Sequence, residues 1–543
     1  MVLGYNRPTM SKRDAKELCH WADKQAARIV REKGELPLYV CAAGITPSGT
    51  VHIGNFREII TVDLVARALQ DAGHTVRFIY SWDDYDVFRK VPANMPQPEL
   101  LARYLRQPIT SVPDTTGEAE SYARRNELDI ERELPRVGIH PEFLYQAERY
   151  RSCRYAEGMR RALQNRAIIK ECLNAGRDNE HKMAADEEYW PVSAFCASCG
   201  KDTTEITGYD GEWGISYKCT SCGHEEAGDL RTSPGFKLGW RVDWPMRWKH
   251  EQVVFEPGGK DHISPGGSYD TAKIVSKRVY GWDAPVTMKY DFVKIKGLPG
   301  KMSSSSGKVI SLVDALLVYQ SEVLRYIFAV NRPDHEFAIS FDTDVITVYE
   351  AYDRCERIAW GMDAPKDEAA YLRERRVYEL SQVEPGFPDT MPYQVPFRQM
   401  STLVQIYSGD IDAALSSISG TSETQRGKLR QRAECAWYWV SQCAPEEFRF
   451  ALRGEGEREL LDERQLEAVR RVRDDVAAHI EDFASDKDCL KAMQDIATQL
   501  GLQSKELFCA LYTALIGKTQ GPRLASFMRI IGRERLMRIL EAY

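Results

Sequence analysis

The alternation of apolar runs and amphipathic stretches in the first part of the chain predicts a strand, a helix and a second strand. The apolar run 38–43 is typical of a buried strand and leads into a turn at 44–49. An amphipathic stretch at 52–70 predicts a helix that ends before Gly73, and the run 76–80 predicts the next strand. Strands that alternate with helices in this order are typical of a parallel, doubly wound sheet.

A further helix is predicted upstream of this unit. Ser11, with Asp14 three residues later, has the spacing of a helix N-terminus, and Gly34 is a typical stop. The apolar stripe between them consists of Leu18, Trp21, Ala22, Ile29 and Val30. We therefore expect one helix between Ser11 and Gly34.

Strand-like runs return much later in the chain, at 253–255 and 286–295. The interval 90–235 has a looser pattern, with mixed helices, Pro-rich linkers and a cluster of cysteines. We interpret it as an insertion between two halves of one nucleotide-binding domain. Beyond Leu312 the pattern is helical almost to the end, with breaks near 375–395.

Composition narrows the class of protein. The 543 residues are 43% hydrophobic and 28% charged, which is ordinary for a globular chain of three or four domains. No apolar run is long enough to cross a bilayer, and the first residues lack a signal-peptide core. A net charge of −7 argues against indiscriminate nucleic-acid coating, and 13 scattered cysteines favour a reducing cytosol. We predict a cytoplasmic protein without a membrane partner, and we favour a monomer.

Two Cys-x2-Cys pairs predict a zinc ribbon. Cys196 with Cys199 and Cys219 with Cys222 have the spacing of a four-thiolate site, with free thiols as the alternative. Four thiolates leave no open position for a catalytic water, so Zn²⁺ here should be structural. Four further candidate ligands, which we interpret as bystanders rather than a second site, are Cys153, Cys172, His181 and His224.

The turn after the first strand has the features of a phosphate site. A helix N-terminus at the carboxyl end of a parallel strand presents free N–H groups to a ligand. Gly44, Gly49 and Gly54 allow close approach of the backbone, and Pro47 stiffens the turn. His52 can donate to a phosphate oxygen as negative charge develops. A tight turn with a surface histidine is the alternative.

The loop 301–307 supplies a mobile cation, which the first motif lacks. Lys301 is a cation that can follow departing pyrophosphate, and the serines beside it can cradle the anion. Alone, this loop would be interpreted as a solvated linker. The two motifs together predict an adenylate-forming ATP site.

These motifs resemble a known family. Residues 47–55 resemble the HIGH signature of class I aminoacyl-tRNA synthetases, and 301–305 are similar to their KMSKS loop. The segments 83–92, 240–245 and 259–262 resemble the class I lysyl-tRNA synthetase, which is the archaeal-type enzyme. The five segments occur in the same order as in that family.

The resemblance covers at least residues 15–345 and implies the roles of several residues. Implied catalytic residues are His52, Asn55, Lys301 and Lys308. Implied ATP-binding residues, for ATP with Mg²⁺, are Pro47, Gly49, His52, Gly54, Asn55, Asp261, Lys301, Met302, Ser303 and Ser304. Ser304 stands where the KMSKS loop has its second lysine, so either Lys301 or Lys308 takes over that role.

The resemblance also implies a lysine pocket. Gly44 and Thr46 would hold the α-amino and carboxylate end of lysine, and Trp240, His262 and Tyr290 would line the side-chain pocket. Similar enzymes for glutamate and glutamine have an arginine before this turn, whereas the first strand here has no cation.

The stretch 240–262 offers the carboxylates and aromatic faces that suit a cationic substrate. Pro245 weakens a regular helix through Trp240, Trp244 and Trp248. Core packing and a place in the pocket are therefore equal alternatives for Trp248. Asp261 is expected to bind the ribose hydroxyls of ATP, with a helix N-cap as the alternative. The candidate side chains are Trp240, Asp243, Trp244, Glu256, Asp261 and His262.

The C-terminal third carries many cations on predicted helices. A basic helix face suits an RNA backbone, and a solvated charged face is the alternative. The resemblance implies an α-helical anticodon-binding domain here. The cations are Arg426, Lys428, Arg430, Arg432, Lys518, Arg523, Arg529, Arg533, Arg535 and Arg538.

The predicted fold class is α/β, with a Rossmann-type doubly wound parallel sheet, a zinc-ribbon-containing insertion and an all-α C-terminal region. The Rossmann catalytic domain should occupy 1–95 and 236–310, interrupted by the connective insertion 96–235. A helical stem-contact domain at 311–400 and the anticodon-binding domain at 401–543 should follow.

The activity that the resemblance implies is that of a lysine–tRNA ligase, which uses lysine, ATP and tRNA(Lys) in protein synthesis. Three alternatives are weighed against it. One is a glutamate-family synthetase with the same architecture, and another is a non-catalytic tRNA-binding paralogue. The third, a small-molecule adenylyltransferase, explains neither the zinc ribbon nor the helical third of the chain.

Overall fold

The chain forms two compact units. The computed structural model describes residues 18–92, 95–175, 182–184, 186–297 and 309–543. The first unit contains the described residues of Met1–Ala315, Ser321–Ile339 and Cys355–Pro388. The second contains Leu316–Gln320, Ser340–Arg354 and Asp389–Tyr543. The finer division into five domains remains a prediction.

Parallel strands form the main sheet of the first unit. Its order is β3-β2-β1-β9, and every neighbouring pair is parallel, which confirms the Rossmann-type fold class. The strands in chain order are β1 (Tyr39–Ile45), β2 (Val76–Trp82), β3 (Glu142–Tyr145), β4 (Val192–Ala194), β5 (Thr204–Tyr209), β6 (Gly214–Cys219), β7 (Glu225–Asp229), β8 (Phe236–Leu238), β9 (Val253–Phe255), β10 (Gly258–Gly259), β11 (Lys289–Tyr290), β12 (Val293–Ile295) and β13 (Phe337–Ile339).

Helices dominate the rest of the chain. Up to residue 330 they are α1 (Trp21–Lys33), α2 (Ile53–Asp71), α3 (Pro98–Ala102), α4 (Tyr122–Glu131), α5 (Gln146–Arg151), α6 (Ala156–Gln164), α7 (Arg166–Ala175), α8 (Trp240–Glu251), α9 (Lys260–Ile263), α10 (Ser268–Val275), α11 (Leu312–Val318) and α12 (Ser321–Val330). Beyond it they are α13 (Asp344–Ala359), α14 (Glu368–Ser381), α15 (Phe397–Ile406), α16 (Ile411–Ser416), α17 (Glu423–Tyr438), α18 (Glu463–Asp475), α19 (Asp486–Gln499), α20 (Ser504–Ile516), α21 (Leu524–Ile531) and α22 (Arg533–Leu540). No helix among the described residues has both the length and the apolar character needed to cross a membrane.

The first strand–helix–strand unit agrees with the sequence pattern to within two residues at each end. Residues 39–43 of β1 are buried, and α2 is buried along nearly its whole length. Gly73 ends the helical turn with a φ of 91°, a conformation that favours glycine. Hydrophobic burial and a glycine stop are local signals, which explains the agreement.

The predicted start of α1 was wrong. The helix begins at Trp21, and its N-cap is His20, whose backbone is extended and whose Nδ1 accepts the Ala22 N–H at 3.2 Å. Leu18 therefore precedes the helix, while Ser11 lies outside the described residues. The predicted stop at Gly34 is correct.

The run 286–295 is not one continuous strand. Val286 bridges Phe255, β11 pairs with β10, and β12 pairs with β13. Between β11 and β12 the Asp291 N–H donates to the Pro333 carbonyl at 2.8 Å, so the chain changes partner there. The helical break near 375 also begins later, because α14 continues to Ser381.

The insertion, together with β8 directly after it, contains two antiparallel sheets. Strands β4 and β8 form one pair, and β5, β6 and β7 form a meander. An aromatic cluster that includes Tyr85, Tyr150 and Phe195 packs beneath them. The ribbon is thereby attached to the loop that follows β2.

The second unit is largely helical, and one of its cations was misassigned. Arg432 is 6% exposed and forms an ion pair with Asp353 at 2.7 Å, so it does not belong to a solvent-facing RNA surface. Lys518 donates to the carbonyls of Glu446 and Arg449. Sequence spacing could not distinguish these cations from solvent-facing ones, because their partners lie 37 or more residues away.

Candidate active site

A cleft of about 1100 Å³ opens in the first unit at the carboxyl ends of β1 and β2. Its wall is formed by the end of β1, the start of α2, the loop after β2, and residues of α8, α9 and β11. Ligands of doubly wound sheets bind in this position. It is the natural candidate for the active site.

The first motif forms one side of the cleft. His52 is the N-cap residue of α2, and Asn55 Oδ1 accepts its backbone N–H at 3.2 Å. A Cβ atom on Gly44 would lie 2.8 Å from the Ser81 carbonyl oxygen, so only glycine fits there. Gly49 and Gly54 also line the cleft, whereas Pro47 does not and instead accepts a hydrogen bond from Asn126.

The chain after the second motif returns to the first. Lys301, Met302, Ser303, Ser304 and Lys308 lie outside the described residues. Directly after them, the Ile310 carbonyl accepts the Ile53 N–H at 2.8 Å, and Ser311 forms an antiparallel bridge with His52. The segment that follows the loop is therefore anchored at the N-terminus of α2.

All five residues of the predicted lysine pocket line the cleft, namely Gly44, Thr46, Trp240, His262 and Tyr290. The Trp240 ring is 42% exposed and stacks on Trp244, with centroids 5.1 Å apart. His262 Nδ1 lies 2.9 Å from Ser268 Oγ. The structure brings these residues together, and their roles remain a proposal.

Glu58 is a cleft residue that sequence reasoning missed. Its Oε1 accepts the Gly44 N–H at 3.0 Å, and its Oε2 accepts the Tyr290 hydroxyl hydrogen. Burial, with smaller contributions from the charges of Glu256 and Asp83, raises the pKa of Glu58 to about 8. The available signal was spacing, since Glu58 lies four residues after Gly54 on the same face of a helix.

Glu256 is a second unusual carboxylate in the cleft. It accepts the indole N–H groups of Trp244 at 3.0 Å and Trp248 at 2.6 Å, and burial raises its pKa. No cationic side chain of the described chain lies within ion-pair distance of Glu58 or Glu256. Neither carboxylate therefore has an ion-pair partner among the described residues, although the charge of Arg247 partly offsets the raised pKa of Glu256.

The tryptophan segment is helical throughout. Helix α8 runs through Pro245, contrary to the expectation from sequence, and Trp248 is a core residue at 1% exposure. Pairing of Asp243 with Arg247 one turn later, and of both indoles with Glu256, supports the helix across the proline.

Asp261 lines the cleft from the first turn of α9. The N-cap of this helix is Gly259, so the alternative role of Asp261 as an N-cap residue is wrong. Lys260 beside it pairs with Asp291 at 2.8 Å. The Asp261 carboxylate is thus placed on the wall of the nucleotide-sized cleft.

The four ribbon cysteines converge. Their Sγ atoms lie within 4.8 Å of one another, with Cys196 and Cys222 3.6 Å apart and Cys199 and Cys219 3.7 Å apart. A tetrahedron with Zn–S distances of about 2.3 Å has sulfur–sulfur edges of about 3.8 Å. The donor set therefore fits a metal ion. Among the described residues, it is the one group of three or more side chains placed to hold a metal ion. His181 lies outside that part.

Comparison with known proteins agrees with this geometry. Residues 19–384 match the family model described as tRNA synthetases class I (K), and residues 429–543 match an anticodon binding domain. The chain is 52% identical to the lysine–tRNA ligase of Treponema pallidum (strain Nichols), across 96% of this chain and 98% of that protein. It is 48% identical to that of Borreliella burgdorferi (96% and 99%) and 41% identical to that of Thermococcus kodakarensis (95% and 98%). The family predicted from the motifs is therefore confirmed, and the chain belongs to the class I tRNA synthetases of the (K) type.

Proposed function

We propose that the chain is a lysine–tRNA ligase, which activates lysine with ATP and transfers the lysyl group to the 3′ end of tRNA(Lys). The observation that carries the proposal is the position of two carboxylates, Glu58 and Glu256, which lie beside aromatic rings without an ion-pair partner in the described chain. We call the part of the cleft that they line its amino-acid end. Membership of the family and the names of the relatives support the same function.

The side-chain ammonium of lysine would bind at Glu58 and Glu256. An ammonium group binds favourably to carboxylates and to aromatic faces, and Trp240 and Tyr290 supply the faces. Gly44 and Thr46 would hold the other end of lysine. Because Glu58 accepts the Gly44 N–H, the same turn positions both ends of the substrate.

Activation would proceed by in-line displacement. A carboxylate oxygen of lysine attacks the α-phosphorus of ATP, and the bond from that phosphorus to the pyrophosphate oxygen breaks. His52, Asn55, the N–H groups at the start of α2 and either Lys301 or Lys308 would stabilise the developing charge, with Mg²⁺ bound to the phosphates. The carboxylate is already ionised, so positioning replaces a side-chain nucleophile.

Transfer would follow in the same cleft. A hydroxyl of the terminal tRNA ribose attacks the carbonyl carbon of lysyl-adenylate, and AMP leaves. We assign the ribose hydroxyls of ATP to Asp261 and the anticodon to the helical region that matches an anticodon binding domain. This division places recognition of the two ends of tRNA in different parts of the chain.

The four ribbon cysteines would hold one structural Zn²⁺. The fit rests on four sulfur donors at tetrahedral spacing. We also propose a cytoplasmic monomer, on sequence grounds alone.

ATP–pyrophosphate exchange with each of the twenty amino acids tests the proposal. Lysine should support exchange at least about 100-fold faster than any other amino acid, because the site provides carboxylates for its cation. Exchange with glutamate would overturn the substrate. Binding of tRNA without any exchange would favour the non-catalytic paralogue, and exchange without tRNA affinity would favour the small-molecule adenylyltransferase.

A further inference from the structure

Arg247 bridges two carboxylates of the cleft from behind its wall. Its Nη1 donates to Asp83 Oδ1 at 2.6 Å, and its Nη2 lies 3.1 Å from Asp243 Oδ2. Arg247 is 8% exposed and does not itself line the cleft, whereas both of its partners do. A buried cation is thus present next to a pocket proposed for a cationic substrate.

The same guanidinium contacts the framework of the pocket. Nη1 also donates to Ser81 Oγ at 2.8 Å, and Ser81 packs against Gly44 at the end of β1. The Arg247 Cζ lies 5.7 Å from the centroid of the Trp240 ring. Arg247 therefore joins the strand ends to the helix that carries the exposed indole.

The four carboxylates at the amino-acid end of the cleft divide into a pair that contacts Arg247 and a pair that does not. Asp83 and Asp243 share Arg247, and Asp243 also accepts the Tyr150 hydroxyl hydrogen. Glu58 and Glu256 hold only neutral donors among the residues with described positions. Paired charges are satisfied in place, so the second pair is the one available to a ligand cation.

We propose that Arg247 is a specificity-determining residue. By occupying Asp83 and Asp243, it leaves a single position for the side-chain cation of the substrate, at Glu58 and Glu256. The inference rests on the proposed function, because it concerns how the lysine pocket selects among cationic amino acids.

Loss of Arg247 would create a second anionic position. Asp83 follows β2 and Asp243 lies in the first turn of α8, whereas Glu58 lies on α2 and Glu256 follows β9. A side chain of a different length could then place its cation at the new position. The expected consequence is weaker discrimination by side-chain length.

Pyrophosphate exchange by Arg247→Met tests this with lysine, ornithine, 2,4-diaminobutyrate and arginine. We expect the preference for lysine, measured as a ratio of kcat/KM values, to fall at least ten-fold against one or more of the other three. Adding Asp83→Asn and Asp243→Asn should restore the ratio, because the second anionic position is then removed. Arg247→Lys, which keeps one charge, should keep the ratio within about three-fold of wild type.

Arg376→Met is the matched control. Arg376 is also buried and paired, with Asp23 at 2.8 Å, but neither residue lines the cleft. This variant should lower Tm and leave the ratio unchanged.

An unchanged kcat/KM ratio in a folded Arg247→Met variant would overturn the inference. So would a ratio that stays low after Asp83→Asn and Asp243→Asn are added. If Arg247→Met alone does not fold, loss of discrimination in the folded triple variant would overturn it. Absence of lysine-dependent exchange in the wild type would instead overturn the proposed function.

Discussion

Helix α2 carries two carboxylates in opposite surroundings, because Asp63 is buried in the protein and Glu58 is half-buried at the cleft. On one face, Asp63 pairs with Arg325 at 2.7 Å and with Arg67 at 3.1 Å. Arg325 is completely buried and also donates to the carbonyls of Val137 and Leu380. On the other face, Glu58 meets the cleft and accepts only from neutral groups.

The contrast separates a structural carboxylate from a functional one. Burying an unpaired charge destabilises the folded state, and ion pairs with Arg325 and Arg67 offset this effect for Asp63. Glu58 has no such partner, and burial raises its pKa to about 8, so the protonated form predominates at pH 7 and a bound cation would favour ionisation. The presence or absence of a cationic partner therefore distinguishes the two carboxylates of this helix.

Glu58→Gln should produce the largest effect on activity. It removes the charge that would bind the ammonium of lysine, so kcat/KM in pyrophosphate exchange should fall about 1,000-fold, or about 4 kcal/mol. Stability in urea should change by less than about 1 kcal/mol, because no ion pair is broken. A parallel loss of folding would assign Glu58 to the structural class instead.

Asp63→Asn should have the opposite profile. It leaves two buried arginines without their carboxylate, so the free energy of unfolding should fall by about 3 kcal/mol. The KM for lysine should stay within about two-fold of the wild type, since Asp63 does not line the cleft. A raised KM at unchanged stability would abolish the distinction between the two faces.

Cys196→Ser tests the four-cysteine site of the ribbon, where the partner of the charged groups would be a metal ion. Removing one of four thiolates should lower zinc affinity at least about 100-fold, as measured by metal content after dialysis. Cys172→Ser is the matched control, because Cys172 is buried but lies outside the cysteine cluster. Full metal retention by Cys196→Ser would contradict the four-thiolate site.

The elements that the sequence predicted are those with local signals. Strand β1, helix α2 and strand β2 follow from apolar runs and a glycine stop, and the cysteine pairs follow from their spacing. The start of α1 was missed because a histidine side chain forms its cap. The motif residues of the lysine pocket were named from resemblance, not from periodicity.

The parts of the site that the sequence did not predict depend on long-range contacts. Glu58 meets Tyr290 across 232 residues, and Arg247 meets Asp83 across 164. Both residues lie in segments whose pattern is that of an ordinary helix, and a charged residue in such a pattern does not indicate which residue it contacts. Only the folded sheet shows which carboxylates have a cation and which do not.

The pH dependence of lysine binding follows from the state of Glu58. Its neighbours are Tyr290, Tyr80, Glu256 and Asp83, and none of them is a cation. Because burial raises the pKa of Glu58 to about 8, the Glu58 carboxyl is mostly protonated at pH 7 before lysine binds. Lysine favours the ionised carboxylate, so its Kd should fall about ten-fold per pH unit from pH 6 to 7.5 and level off above pH 8.

Calorimetry of lysine binding at pH 7, in buffers of different ionisation enthalpy, would show whether Glu58 loses its proton when the ammonium of lysine binds. We expect release of about one proton with lysine and none with norleucine, which has the same carbon chain but lacks the terminal ammonium group. Binding of lysine without proton release would contradict it.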